Sequence, residues 1–302
     1  MIYTITLNPA LDYIIKLKEL VPNEINTSES EYILPGGKGI NVSIILKRLE
    51  VESVALGFIS SFTGKEIQKL VEKEKIQTDF INLEEGHSRI NVKILEDEKE
   101  TAINSKGPLV DNKSIEKLYK KLSNLKENDI LVLSGSIPKG IKEDIYEEIC
   151  EKIKDKNVKI VVDSTKKLLL NTLKYRPFLI KPNHHELGEI FNVQILNQDQ
   201  AIEYAKKLQQ KGAQNVLISM GEKGSILLDE NGKSYKKAAI SNKNVINTVG
   251  AGDSMVAGFL AGYLNYKNYE DALKLGIASA SATVNNVFLG TKDEINEYFN
   301  SF

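Results

Sequence analysis

Cysteine is nearly missing from this chain: Cys150 stands alone among 302 residues, so an intrachain disulfide and a paired-thiolate zinc site are both excluded. An excess of charge of either sign is missing too. Forty Lys plus Arg meet 41 Asp plus Glu for a net charge of −1, so no chain-wide field draws the protein to nucleic acid or to an anionic membrane, although a local basic pocket is compatible with that balance. Long apolar runs are absent, whereas a spanning helix needs about 18 such residues in succession. The opening stretch "MIYTITLNPALDYIIKLKEL" has no basic leader and carries Asp12 within its apolar part. These absences lead to the expectation of a cytoplasmic protein with neither a nucleic-acid nor a membrane partner. No repeat, Pro/Ser linker or low-complexity tract divides the chain, and one main domain over 1–302 is expected.

What is present fits an ordinary globular protein, with 41% hydrophobic and 27% charged residues. Short β-branched runs recur: "IYTITL" (2–7), "SVALGFI" (53–59), "DILVLSG" (129–135), "VKIVVDS" (158–164) and "NVLISMG" (215–221). Between them lie helical patterns such as "GINVSIILKRL", "SIEKLYKKLSNL", "KEDIYEEICEKI" and "DQAIEYAKKLQQKG". That alternation predicts βαβ units, hence an α/β fold with a mainly parallel sheet flanked by helices. Two stretches break the rhythm, at about 12–36 and 88–106, and read as strand pairs without an intervening helix. They can form a small β lid together; two ordinary surface hairpins fit the pattern equally well. Lys/Glu-rich patches at 69–75, 117–127 and 151–159 read as solvated helix faces.

The segment "NTVGAGDSMVAGF" (247–259) runs from a β-like lead-in through Gly250-Ala251-Gly252 into an apolar helix with Asp253 in its first turn. A helix start carries unpaired backbone N–H groups and partial positive charge, which favours an anion such as phosphate. An Asp there serves the helix dipole by default; beside a phosphate it can also take a proton from an attacking hydroxyl. Two other phosphate motifs fail on spacing. "GFISSFTGKE" (57–66) has six residues between its glycines and Glu66 where Ser or Thr belongs in a Walker loop. "GAGDSM" puts Met255 at the third glycine position of a dinucleotide fingerprint and lies near the end of the chain.

A second glycine turn, "LPGGKGINVS" (34–43), brings Gly37, Lys38 and Asn41 into reach of one ligand. "SRINVKI" alternates, so Arg89, Asn91 and Lys93 share one strand face and Ile90, Val92 and Ile94 the other. Taken alone that pattern favours a polar outer face, while Arg89 has the planar fork that grips phosphate. "LIKPNHHELGEI" (179–190) offers Lys181, Asn183 and Glu186, the last suited to hold a water of a magnesium ion. His184 and His185 are adjacent and lack the H-E-x-x-H spacing, so they read as non-ligands. "ISMGEKGSILL" (218–228) reads as two strands around a glycine turn.

In order and spacing, "TLNPALD" (6–12), "GGKGINVS" (36–43), "KPNHHEL" (181–187) and "NTVGAGDSMVAGF" resemble the ribokinase-like (PfkB) carbohydrate kinases over essentially the whole chain. The first two, with "RINVK", look like the 1-phosphofructokinase and tagatose-6-phosphate kinase branch. The resemblance implies ATP and Mg2+ as cofactors, a homodimer built through the lid, and phosphorylation of a ketohexose monophosphate. D-fructose 1-phosphate comes first as substrate, tagatose 6-phosphate second, and a non-catalytic nucleotide-binding regulator last. It implies Asp253 as base, with the backbone of Gly250, Ala251 and Gly252 as anion hole. Asp12, Gly37 and Asn41 are expected at the sugar hydroxyls, Lys38 and Arg89 at the sugar phosphate, and Asn91 among the substrate-binding residues. Lys181, Asn183 and Glu186 are expected at magnesium and triphosphate, and Ser219, Gly221 and Gly224 beside the nucleotide. "SASATVNNVFLGT" departs from the family at Asn285 and Asn286, where smaller residues are expected on the adenine side.

Overall fold

The computed structural model describes residues 1–302 apart from 97–98, 165, 241–244 and 247. Asn247 of the glycine motif, and Asp97 and Glu98 of the second expected strand pair, therefore lie outside the described residues.

The main sheet has the order β14-β13-β12-β11-β10-β9-β1-β4-β5, with β6 attached to β4. Its members are β1 (Ile2–Thr6), β4 (Ser53–Ser60), β5 (Gln77–Thr78), β6 (Ile81–Leu83), β9 (Ile130–Ser134), β10 (Lys159–Asp163), β11 (Leu179–Ile180), β12 (Asn215–Ser219), β13 (Ser225–Leu228) and β14 (Ser234–Lys237). All neighbours from β12 through β5 are parallel, and β13 alone runs against the rest, antiparallel to both β12 and β14; β12/β13 is the hairpin expected around the glycine turn. The strand β11 is two residues long and was legible only as an apolar run before Lys181.

The central strands are apolar on both sides because helices cover both faces. Side chains alternate between two cores: Leu131, Leu133, Ile160, Val162, Val216 and Ile218 enter one, and Ile130, Val132, Val161 and Leu217 enter the other. The first core is closed by α3 (Asn112–Leu122), α4 (Ile145–Ile153), α5 (Lys166–Thr172), α6 (His184–Phe191) and α7 (Gln198–Gln210). The second is closed by α1 (Lys38–Arg48), α2 (Ser61–Lys73), α8 (Ala251–Tyr266), α9 (Tyr269–Val284) and α10 (Lys292–Asn300). Among the described residues no helix is long and apolar enough to cross a membrane.

The two stretches that broke the strand–helix rhythm pair with each other. β2 (Ala10–Lys16), β3 (Ser30–Gly36), β7 (Arg89–Leu95) and β8 (Glu100–Asn104) form a four-stranded sheet in the order β3-β2-β7-β8. Two antiparallel pairs meet along a parallel β2/β7 junction in which Asp12 stands opposite Asn91. The β-like lead-in to α8 is not a strand among the described residues. Val245 and Ile246 are exposed, and Ile246 N donates to Val284 O at 2.7 Å.

Candidate active site

Thr6, Asp163 and Ser219 end β1, β10 and β12, so the carboxyl ends of the parallel strands open on one side, where ligands of open α/β sheets bind. Two helices start there without a side-chain cap. α1 follows Gly37 (φ 125°) and α8 follows Gly250 (φ 84°), conformations in which an L side chain is strained. Thr6 Oγ1 takes the amide of Ile40 at 3.0 Å, and the α1 ladder begins with Asn41 N to Gly37 O at 3.0 Å. The α8 ladder begins with Ser254 N to Gly250 O at 2.8 Å, so the amides of residues 250–253 lie outside it, although Ala251 N, expected in the anion hole, donates to Thr248 O at 3.4 Å. Both starts carry the partial positive charge that an anion favours.

Asp253 lies in that first turn of α8 and is only 5% exposed. Its Oδ2 accepts from Asn41 Nδ2 at 2.8 Å, a bond that ties α8 to α1. Burial, followed by the charge of Asp163, pushes its carboxyl up to about 7, while Lys38, Asn41 and Lys181 pull the other way. Asn41, expected at the sugar hydroxyls, thus holds the carboxylate, and its buried Oδ1 has no hydrogen-bond partner among the described residues.

Asp163 is buried at the end of β10, and its Oδ1 pairs with Lys38 Nζ at 3.3 Å and Lys181 Nζ at 3.4 Å. Burial opposes its charge, yet Lys181 and Lys38 hold its carboxyl below the usual carboxylate range. Loss of solvation likewise opposes the charge on Lys38, but Asp163, Asp253 and Glu186 together raise its pKa. Lys181 reaches the start of α8: a Cβ placed on Gly252 would stand 3.1 Å from its Nζ.

Across the opening, the small sheet turns its polar face inward. Asn91 and Lys93 are buried while Ile90 is exposed, the reverse of the polar outer face that the alternation alone favours. Asp12 accepts from Asn91 Nδ2 at 2.8 Å through Oδ1 and pairs with Lys93 Nζ at 3.4 Å through Oδ2. Arg89 donates from Nε to Asn8 O at 3.0 Å; burial lowers its pKa, with Asp12 opposing.

On the other flank, Asn183 and Glu186 cap α6 reciprocally. Glu186 N donates to Asn183 Oδ1 and Asn183 N to Glu186 Oε2, both at 2.8 Å, so each has a local structural duty. Asn183 also bridges Ser219, and Gly221 opens the single 3₁₀ turn Gly221–Lys223. Gly224 (φ 84°) has a fold-based reason to be glycine, since a Cβ there would stand 2.1 Å from Lys237 O. Asn286 donates to Ala282 O at 2.9 Å and to both carboxylate oxygens of Glu294, and Asn285 donates to Tyr298 Oη, so the two residues brace α9 against α10.

Sequence reasoning passed over Asp163 as a site residue and noted Lys93 only for the face it shares. The signals were available: "VKIVVDS" is an apolar run ended by one carboxylate, and Lys93 is in phase with Arg89.

Helix starts open to an anion, beside a carboxyl that exchanges its proton near neutrality, suit the handing over of a phosphoryl group, and with this sheet they define a kinase of ribokinase-like fold. Residues 5–294 match the pfkB family carbohydrate kinases, and the chain belongs to that family. It is 42% identical over 297 residues, 98% of this chain and 97% of the relative, to the 1-phosphofructokinase of Bacillus subtilis (strain 168). It is 36% identical over 298 residues, again 98% and 97%, to the D-tagatose-1-phosphate kinase of Bacillus licheniformis. The crystal structure of phosphofructokinase-2 from Escherichia coli in complex with substrates and products matches with a TM-score of 0.94 over 99% of this chain and 98% of that one, at 24% identity, a likeness of fold. Membership of a carbohydrate kinase family implies use of ATP.

Proposed function

We propose that the protein transfers the γ-phosphoryl group of ATP to O6 of D-fructose 1-phosphate, giving fructose 1,6-bisphosphate. The observation that carries this reading is the buried Asp253 carboxyl, fixed by Asn41 at 2.8 Å in the open first turn of α8. Asp253 takes the proton of the attacking hydroxyl, and the amides of Gly250, Ala251 and Gly252 face the charge spreading over the phosphoryl oxygens. Asp12, Gly37 and Asn41 meet the sugar hydroxyls; the buried Asn41 Oδ1 and Asn91 Oδ1, without partners among the described residues, suit a polyol. Arg89, steered by Asn8 O, and Lys38 meet the phosphate already on the sugar. Lys181 and Asn183 serve the triphosphate, with Ser219 and Gly221 beside the nucleotide.

Mg2+ fits the donor set, because it takes one or two carboxylates and completes its shell with waters and phosphate oxygens. Glu186, half-buried and acting electrostatically on Lys38, is the carboxylate that would hold it through water. Bound there, the ion would neutralise charge on the triphosphate.

We read the chain as one domain carrying the small sheet as a lid that excludes water. Its outer face carries a row of Ile33, Tyr13, Val92 and Ile103 across all four strands, with Ile33 51% and Ile103 59% exposed. An apolar face of that kind suits a homodimer contact, which sedimentation measures directly. A cytoplasmic setting accords with the lone buried Cys150.

ADP release from ATP with fructose 1-phosphate, tagatose 1-phosphate, tagatose 6-phosphate and fructose 6-phosphate at equal concentration tests the assignment. Fructose 1-phosphate should give the highest kcat/KM. The Bacillus licheniformis relative makes tagatose 1-phosphate the second candidate, ahead of the 6-phosphate that motif wording suggested. If no sugar phosphate stimulates ADP release, the chain is a non-catalytic nucleotide binder. Arg89→Lys keeps the charge and loses the planar fork, so KM for the sugar phosphate should rise by about tenfold, with KM for ATP unchanged. The reverse pattern would move Arg89 to the nucleotide.

A further inference from the structure

Asp163 has no part in the chemistry above, yet it is the most deeply buried of the site's charged groups, at 1% exposure. One of its oxygens receives two ammonium groups from different elements: Lys38, which opens α1, and Lys181, which follows β11. Two like charges that share one acceptor cannot separate by more than two ion-pair lengths, and without the acceptor they repel. Water reaches Lys38, whose side chain is 40% exposed, but offers little relief to Lys181, at 5%. The pair stands where Lys181 Nζ meets the backbone of Gly252, in the same helix start that carries Asp253.

We propose that Asp163 is a positioning residue for phosphoryl transfer, its buried carboxylate locking Lys38 and Lys181 together at the start of α8, where the group handed to the sugar hydroxyl must pass. The inference rests on the kinase reading and adds to it a residue that acts through two lysines. Its second effect is electrostatic. The charged groups facing Asp253 are Asp163 from β10, Lys38 from α1 and Lys181 after β11, while Glu186 from α6 acts on Lys38. Asp163 is the only one of these that disfavours ionisation of Asp253, so its removal makes the base a stronger acid.

The test is Asp163→Asn in the full chain, assayed with ATP, magnesium and fructose 1-phosphate. A fall in kcat of about 100-fold is expected, the lower end of the loss for one preorganised electrostatic group because Asp163 acts through the lysines. KM for the sugar phosphate should rise as well, since Lys38 also meets that phosphate, the acid limb of kcat/KM should move to lower pH, and the magnesium concentration for half-activity should stay unchanged. A folded variant with wild-type kcat and an unmoved acid limb overturns the proposal. Recovery of kcat at saturating magnesium also overturns it, by making Asp163 a metal ligand. Because Asp163 acts through both lysines, Asp163→Asn added to Lys38→Met and Lys181→Met should be no slower than the two lysine changes without it; a further loss counts against it. If the single variant does not fold, the triple variant removes all three charges of the cluster and keeps the comparison open. Failure of the wild-type protein to turn over any ketose phosphate sinks the kinase reading itself, whereas an active wild type with an unaffected variant sinks only this inference.

Discussion

Replacing Asp253 by Asn is expected to lower kcat by about 10²- to 10⁴-fold, the usual contribution of a positioned general base. The substitution preserves shape. Asn41 Nδ2, now 2.8 Å from Asp253 Oδ2, still finds a carbonyl oxygen, and Lys38 and Lys181 keep Asp163 as partner. Stability should rise rather than fall at alkaline pH, and the sign follows from linkage. Burial and Asp163 raise the folded-state pKa to about 7 from an ordinary value of 3.8, so between these limits the folded chain holds a proton that the unfolded chain has released. Wild-type stability therefore declines as pH rises through that window and levels off above it. The Asn variant lacks the decline, and its Tm advantage should be larger at pH 8 than at pH 5, by about a few degrees. Turnover rates and thermal melts at both pH values check this together; near-normal turnover would remove Asp253 as base, and a lower Tm at pH 8 would refute the electrostatic account.

The second large effect needs no mutation. For the wild-type protein kcat/KM should fall by about tenfold per pH unit below the midpoint, because the free enzyme's base becomes protonated. The midpoint should lie at about 7, far above an unperturbed aspartate. Of the charged groups acting on Asp253 among the described residues, neither Asp163 nor Lys38 supplies a competing limb near neutrality. Asp163 is held ionised by Lys181 and Lys38, and Lys38 is held protonated by its carboxylates. The sugar phosphate has its own second ionisation near pH 6, about one unit lower. The residual activity of the Asn variant separates the two, since it retains only the limb that belongs to the substrate. A wild-type midpoint near 4 would mean that Asp253 is solvated in the working enzyme.

Much of the architecture was legible because it depends on local rules. Strands such as "DILVLSG" are apolar throughout, since both faces of a parallel sheet are covered, and the helices between them carry apolar residues at helical spacing. The start of α8 was legible for the same reason: glycine in a left-handed conformation followed by an apolar helix is a short-range signal. The burial of the Arg89 strand was not. Alternation says that two faces differ and leaves open which one meets the body of the protein, and here the polar one does. The β-like lead-in to α8 failed likewise, because β propensity without a neighbouring strand makes no strand among the described residues.

By itself, then, the sequence determined the α/β alternation, the two glycine-started helices and the residue types gathered around them. Tertiary structure alone decided their charge states and duties. Asn41 reaches Asp253 across 212 positions and Lys38 reaches Asp163 across 125, and Coulomb and hydrogen-bond energies depend on separation in space and on exclusion of water, neither of which sequence distance reports.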